Sequence, residues 1–92
     1  MPAITFKGDV RDASGAASVL TVNGMNVDFY EIYKESFTTV LNLLPGKYVI
    51  ILACYTDGEM KFNISGNLTS VNPQVPETFD KDKKGKLYRL VI

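Results

Sequence analysis

Apolar and polar residues alternate along much of this chain with a period of two, the spacing of strands that bury one face. Ile4, Phe6, Gly8 and Val10 share one parity, and Thr5, Lys7, Asp9 and Arg11 share the other. Asp12-Ala13-Ser14-Gly15 then predicts a turn, with Asp supplying side-chain hydrogen bonds and Gly the positive φ. Val19-Leu20-Thr21-Val22 is a second run. The Asn23-Gly24 that follows fits a two-residue hairpin, since both residues tolerate positive φ, with a return strand from Met25 to about Phe29. Residues 28–36 admit more than one element: Phe29, Ile32, Tyr33 and Phe37 mark one face of a short helix capped by Asp28, or belong to an edge strand or loop, and the balance leans to strand or loop.

Phe37 to Leu44 reads as a strand, and Leu44-Pro45-Gly46-Lys47 as a type II turn with Pro fixing φ and Gly supplying its positive value. Tyr48 to Tyr55 is apolar on both parities, as in a central strand covered on both faces or one with a weakly exposed second face. Asp57-Gly58 predicts another hairpin, and Met60, Phe62 and Ile64 alternate with Lys61, Asn63 and Ser65 beyond it. From Ser65 to Gly85 the alternation dissolves into Asn72-Pro73, Val75-Pro76 and the charged run 80–85, a stretch long enough to hold a short edge segment or a functional surface. Leu87 to Ile92 closes the chain as a strand whose apolar end, Leu90-Val91-Ile92, offers an edge to another copy. The expectation is an all-β fold, a single antiparallel β-sandwich of about seven strands over residues 1–92.

Two blocks carry a family resemblance. Gly8-Asp9-Val10-Arg11-Asp12-Ala13-Ser14-Gly15 resembles the opening G-x-V-x-D-x-x-G of carboxypeptidase regulatory-like domains. Residues 37–50, with Phe37, Leu43, Pro45, Gly46 and Tyr48 at the key places, resemble the F…L-x-P-G-x-Y segment of that family, which is also seen in prealbumin-like (transthyretin-like) sandwiches. The resemblance covers about residues 4–56; the segment Glu31-Ile32-Tyr33-Lys34-Glu35-Ser36 departs from it in lacking a Gly, and nothing after Gly66 matches. It implies a prealbumin-like or immunoglobulin-like sandwich with a non-catalytic accessory or structural role, transfers no active-site residue, and suggests an extracytoplasmic location. The start Met1-Pro2-Ala3-Ile4 carries no basic n-region or apolar h-region of a signal peptide, and the compartment is left open.

Composition narrows the function classes. The chain has no His, so His-based triads, the usual zinc sites and imidazole acid–base chemistry are excluded. Its single cysteine, Cys54, cannot form an internal disulfide and sits in an apolar run without a basic neighbour, as a small buried hydrophobe does. No run approaches the ~20 apolar residues of a membrane span. Ten basic and ten acidic residues cancel, which removes the simplest case for nucleic acid. The cancellation is uneven: five basic residues stand against nine acidic through residue 80, and five against one from 81 to 92. A charged partner therefore points to residues 80–89, though Lys residues there also guard a sheet edge from pairing.

Candidate chemistry is thin. Asp80-Lys81-Asp82-Lys83-Lys84-Gly85 begins like a calcium loop but has Lys84 at its fifth position and Val91 at its twelfth, where oxygen ligands belong. No metal or cofactor is expected. Lys7 has no Asn or Asp on the closing strand with which to form an internal amide, and is read as a solvent-facing strand residue. Asn63-Ile64-Ser65 and Asn67-Leu68-Thr69 are formal glycosylation sequons of a kind that recurs by chance. Asp57 and Glu59 lack partners that would shift a pKa, and the serines lack a His or Lys, so no enzyme is expected. Phe6, Phe29, Phe37, Phe62 and Tyr48 fall on apolar parities as core, while Tyr30, Tyr33, Tyr55 and Tyr88 are candidates for partial exposure.

These readings converge on a protein-interaction or structural module whose candidate surface comprises Tyr30, Tyr33, Tyr55, Asn67, Asn72, Lys83 and Lys84. Partners would engage a sheet edge, in a heterologous protein or another copy, or a face formed by Tyr30, Tyr33 and the 66–85 segment. The alternative is a carbohydrate- or small-ligand-binding module using the Tyr residues with Asn67 and Asn72.

Overall fold

The alternating segments become strands whose apolar parity points inward. In the computed structural model, which describes residues 2–82 and 84–92, these are β1 (Ala3–Arg11), β2 (Ala16–Gly24), β3 (Val27–Tyr33), β4 (Phe37–Asn42), β5 (Lys47–Thr56), β6 (Glu59–Gly66), β7 (Ser70–Asn72), β8 (Glu77–Phe79) and β9 (Gly85–Val91). They form two antiparallel sheets packed as a sandwich: sheet I in the order β4-β1-β6-β8, and sheet II in the order β3-β2-β5-β9-β7. Among the described residues the strand count is nine rather than about seven because β7 and β8, each three residues long, lie in the stretch without periodicity. Strands that short hold too few residues to display an alternation.

The interior is built from one parity of every long strand. Ile4, Phe6, Phe37, Met60, Phe62, Ile64 and Phe79 of sheet I meet Leu20, Val22, Tyr48, Ile50, Leu52, Cys54, Tyr88 and Leu90 of sheet II, all buried. Each fully buried side chain of this size contributes ~1.5–3 kcal/mol, which a chain without a disulfide needs. Phe29 is only partly buried, because β3 lies at the edge of its sheet. Tyr88, a candidate for partial exposure, is fully buried, its phenol satisfied across the interior: the hydroxyl donates to Glu77 Oε1 at 2.5 Å. Lys86 reaches the same carboxylate at 3.0 Å, so Glu77 on β8 clasps two residues of β9 in the opposite sheet.

Several turns differ from expectation, each for a tertiary reason. The β2–β3 hairpin turns at Met25-Asn26, with Gly24 still paired to Val27 and Asn26 taking the left-handed φ of 63°. Gly24 is held in the strand because the ring of its cross-strand neighbour Tyr48 lies over it, where a Cβ would collide. Displacing the turn by two residues preserves which side chains face inward, so the hydrophobic pattern does not oppose it. In the β1–β2 turn it is Asp12, at φ 52°, and not Gly15, that adopts the left-handed conformation.

Asp57-Gly58 is a corner and not a hairpin, since β5 and β6 belong to opposite sheets. Leu44-Pro45-Gly46-Lys47 likewise carries the chain from sheet I to sheet II. Gly46 has φ 159°, close to extended, and exchanges backbone hydrogen bonds with Ile92. The closing strand β9 lies inside sheet II, between β5 and β7, and β7 pairs with residues 89–91. The apolar end Leu90-Val91-Ile92 is therefore not the free edge that its position in the sequence suggests.

Candidate functional site

A two-layer sandwich has two outer faces, and here they differ in chemistry. The back of sheet I carries Thr5, Lys7, Asp9 and Arg11 from β1, Thr38 and the exposed Val40 from β4, Lys61 and Asn63 from β6 and Thr78 from β8. The back of sheet II is built from the second parity of β5, which the sequence left apolar. Register places Asp28, Asn23, Val49 and Arg89 in one transverse row across β3, β2, β5 and β9, then Tyr30, Thr21, Ile51 and Leu87 in the next, then Ile32, Val19, Ala53 and Gly85. Ala17 and Tyr55 form the following row.

The large side chains on this face are open to solvent: Tyr30 is 62% exposed, Tyr55 58%, Ile32 50%, Leu87 45% and Ile51 42%. At the basic end of the face a shallow hollow of about 400 Å³ lies over Lys47, Val49, Arg89 and Val91. A second open hollow, of about 240 Å³, lies on the back of sheet I and is lined by Lys7, Asp9, Arg11, Lys61, Asn63 and Pro76.

Of the residues singled out in the sequence, this face brings together Tyr30 and Tyr55, with the exposed Asn72 beyond Arg89 on β7. Tyr33 belongs elsewhere. Its parity on β3 is opposite to that of Tyr30, its ring stacks on Phe37 at 4.1 Å between centroids, and its hydroxyl shares a hydrogen bond with Thr39. It seals the sandwich where β3 hands over to β4. Asn67 is exposed in the β6–β7 connection, and Lys84 is exposed beside β9, its carbonyl accepting the Cys54 N–H at 2.6 Å. Lys83 lies outside the described residues.

The expected face of Tyr30, Tyr33 and the 66–85 segment does not form, because β3 and β7 are the opposite edges of sheet II. Tyr30 and Tyr55 are separated by two strands and two rows, roughly 16 Å from strand spacing and rise, too far for a side-by-side aromatic platform. The sequence reading missed Ile32, Ile51 and Leu87. The double-parity hydrophobicity of residues 48–55 was the signal for Ile51, and only the register adds the other two.

The titratable groups that depart from their ordinary values have structural causes. Burial pushes the Cys54 thiol up, against a smaller opposing effect of the Ser18 hydroxyl, and keeps it protonated and unreactive. Burial, then the Glu77 carboxylate, holds the Tyr88 phenol well above its ordinary range. Asp57 does have a perturbing partner that the sequence does not show: the Ser14 hydroxyl, then the Ser14 N–H at 3.1 Å, lowers it and ties the β1–β2 turn to the β5–β6 corner. None of the three lies on the outer face of sheet II. Among the described residues no group of three or more His, Cys, Asp and Glu side chains could hold a metal ion, and no helix is long and apolar enough to cross a membrane.

Comparison with known proteins returns no matching family profile, no matching curated protein and no matching solved structure.

Proposed function

We propose that this chain is a non-enzymatic protein-interaction module and that its docking surface is the outer face of sheet II. One observation carries the reading: Tyr30, Ile32, Ile51, Tyr55 and Leu87 are exposed together on one sheet face, while the equivalent face of the other sheet is mostly polar and has Val40 as its large exposed apolar residue. Scattered exposed apolar residues are ordinary on a protein surface, but a contiguous patch marks a contact site. The face is mostly aliphatic across its middle rows, with Tyr30 on the edge strand, Tyr55 in the end row, and Asp28, Lys47 and Arg89 at its margin. The resemblance of residues 8–15 and 37–50 to carboxypeptidase regulatory-like and prealbumin-like sandwiches supports the same accessory role.

The test is site-specific photocrosslinking in the chain's own cells, with benzoylphenylalanine in place of Leu87 on the back of sheet II or of Lys61 on the back of sheet I. Protein adducts are expected from Leu87 and not from Lys61. Equal labelling from both positions, or none from Leu87, rejects the reading.

A further inference from the structure

The docking surface just proposed is complementary to itself, and we infer that its partner is a second copy of this chain, bound back to back through sheet II about a two-fold axis that runs along the strands between β2 and β5. The inference rests on the interaction reading above and adds the identity of the partner. An axis in that position exchanges β2 with β5 and β3 with β9 across the interface while leaving each transverse row opposite itself.

Most row pairings then match in size or in charge, while Tyr30 over Leu87 sets two large side chains against each other. Ile32 of one copy stands over Gly85 of the other, a half-exposed branched side chain facing a residue with none. Tyr55 stands over Ala17, and Ile51 over Thr21. In the last row Asp28 stands over Arg89, and symmetry makes that contact twice. Within one copy these two charges are three strands apart, roughly 14 Å, and neither has an ion-pair partner among the described residues.

The available area agrees with a specific but modest dimer. Strand spacing and rise give the four strands that face their counterparts, β3, β2, β5 and β9, roughly 540 Å² of outer face. Two such faces bury ~1,100 Å², just below the range of standard interfaces. A dissociation constant on the order of micromolar is expected.

Sedimentation equilibrium of the purified full chain tests this. The expected result is a monomer–dimer equilibrium that Ile51→Lys abolishes and that Asp28→Arg and Arg89→Asp each weaken by at least ~10-fold, since each sets like charges face to face. An equimolar mixture of the two charge variants restores dimerisation. In the mixed pair the arginine introduced at position 28 of one copy faces the aspartate introduced at position 89 of the other, and the native Arg89 of the first faces the native Asp28 of the second. Circular dichroism confirms that each variant is folded. A chain that stays monomeric to ~500 µM, far above that constant, overturns the inference. So does a dimer indifferent to Ile51→Lys, or a mixture that does not restore pairing. Leu87 adducts to a different protein from a monomeric chain overturn self-association while upholding the docking face, whereas the absence of any adduct sinks both.

Discussion

On the back of sheet I, β1 and β6 expose Thr5, Lys7, Asp9, Arg11, Lys61 and Asn63, and the hollow between them is lined by charges. On the back of sheet II, β2, β5 and β9 expose Thr21, Val49, Ile51, Tyr55 and Leu87 at the same depth in the same sandwich. Both sheets fill one interior with the same kinds of residue, and both are held by antiparallel ladders. Folding therefore does not require the difference between their backs. An outer face of a sheet already hydrogen-bonded and already packed on its inner side gains little by being apolar in water, and the docking proposal rests on that contrast.

If the backs differ while the interior is shared, damage to the interior must unsettle both. Phe62→Ala removes a ring of sheet I that packs against Tyr88 of sheet II, with centroids 5.6 Å apart. It is expected to lower stability by ~3–5 kcal/mol. Hydrogen exchange should then accelerate on both sheets together, and loss of protection in one sheet alone would show that the halves are independent.

Glu77→Ala cuts the clasp between the sheets and leaves the fully buried Tyr88 hydroxyl without its acceptor, at a cost of ~1–3 kcal/mol in urea denaturation. Glu77→Gln keeps a carbonyl for the phenol and is expected to cost less. Equal losses in the two variants would mean that the Lys86 ion pair, and not the phenol, is the part that matters.

The same residue sets an alkaline limit common to both sheets. The folded chain holds the Tyr88 proton well above the ordinary phenol value, while the unfolded chain releases it near ~10. Above that pH the folded state binds more protons than the unfolded state, so stability falls as pH rises. The raised Cys54 thiol acts in the same direction from about pH 9. Denaturation midpoints at pH 7 and pH 10.5 should differ in that sense, and Tyr88→Phe should flatten the difference at the higher pH.

The smallest effect on stability should separate the faces most clearly. Ile51→Lys and Lys61→Ile both change exposed positions, and each should alter stability by less than ~0.5 kcal/mol. Their effects on association should have opposite signs, Ile51→Lys abolishing it and Lys61→Ile creating a sticky back on sheet I. Equal behaviour of the two variants in sedimentation would erase the contrast between the faces.

Much of the inward-facing set was legible from alternation alone. Ile4, Phe6, Met60, Phe62 and Ile64 are buried on the parity that their spacing selects, and Lys7 and Lys61 are exposed on the other. The candidate site was legible in part. Tyr30 and Tyr55 were named and do lie on the apolar back, but Tyr33, three residues from Tyr30 and so of opposite parity, does not. The burial of Tyr88 is not legible in the sequence, because a tyrosine on an inward parity needs a polar partner, and Glu77, eleven residues earlier, lies on a strand too short to display an alternation.

By itself the sequence determined the all-β class, the long strands and which of their faces turn inward, because period-two burial and turn chemistry act over a few residues. Only the tertiary structure decided that Asp57-Gly58 and Pro45-Gly46 are sheet-crossing corners, that Met25-Asn26 turns the hairpin, and that β9 is flanked on both sides. A tight turn has the same local chemistry whether the next strand pairs with the last or crosses to the opposite sheet, so that choice is made by contacts far apart in the chain. The apolar back of sheet II is such a product: three strands each contribute one or two of its exposed apolar residues, and register alone sets Asp28 and Arg89 in one row.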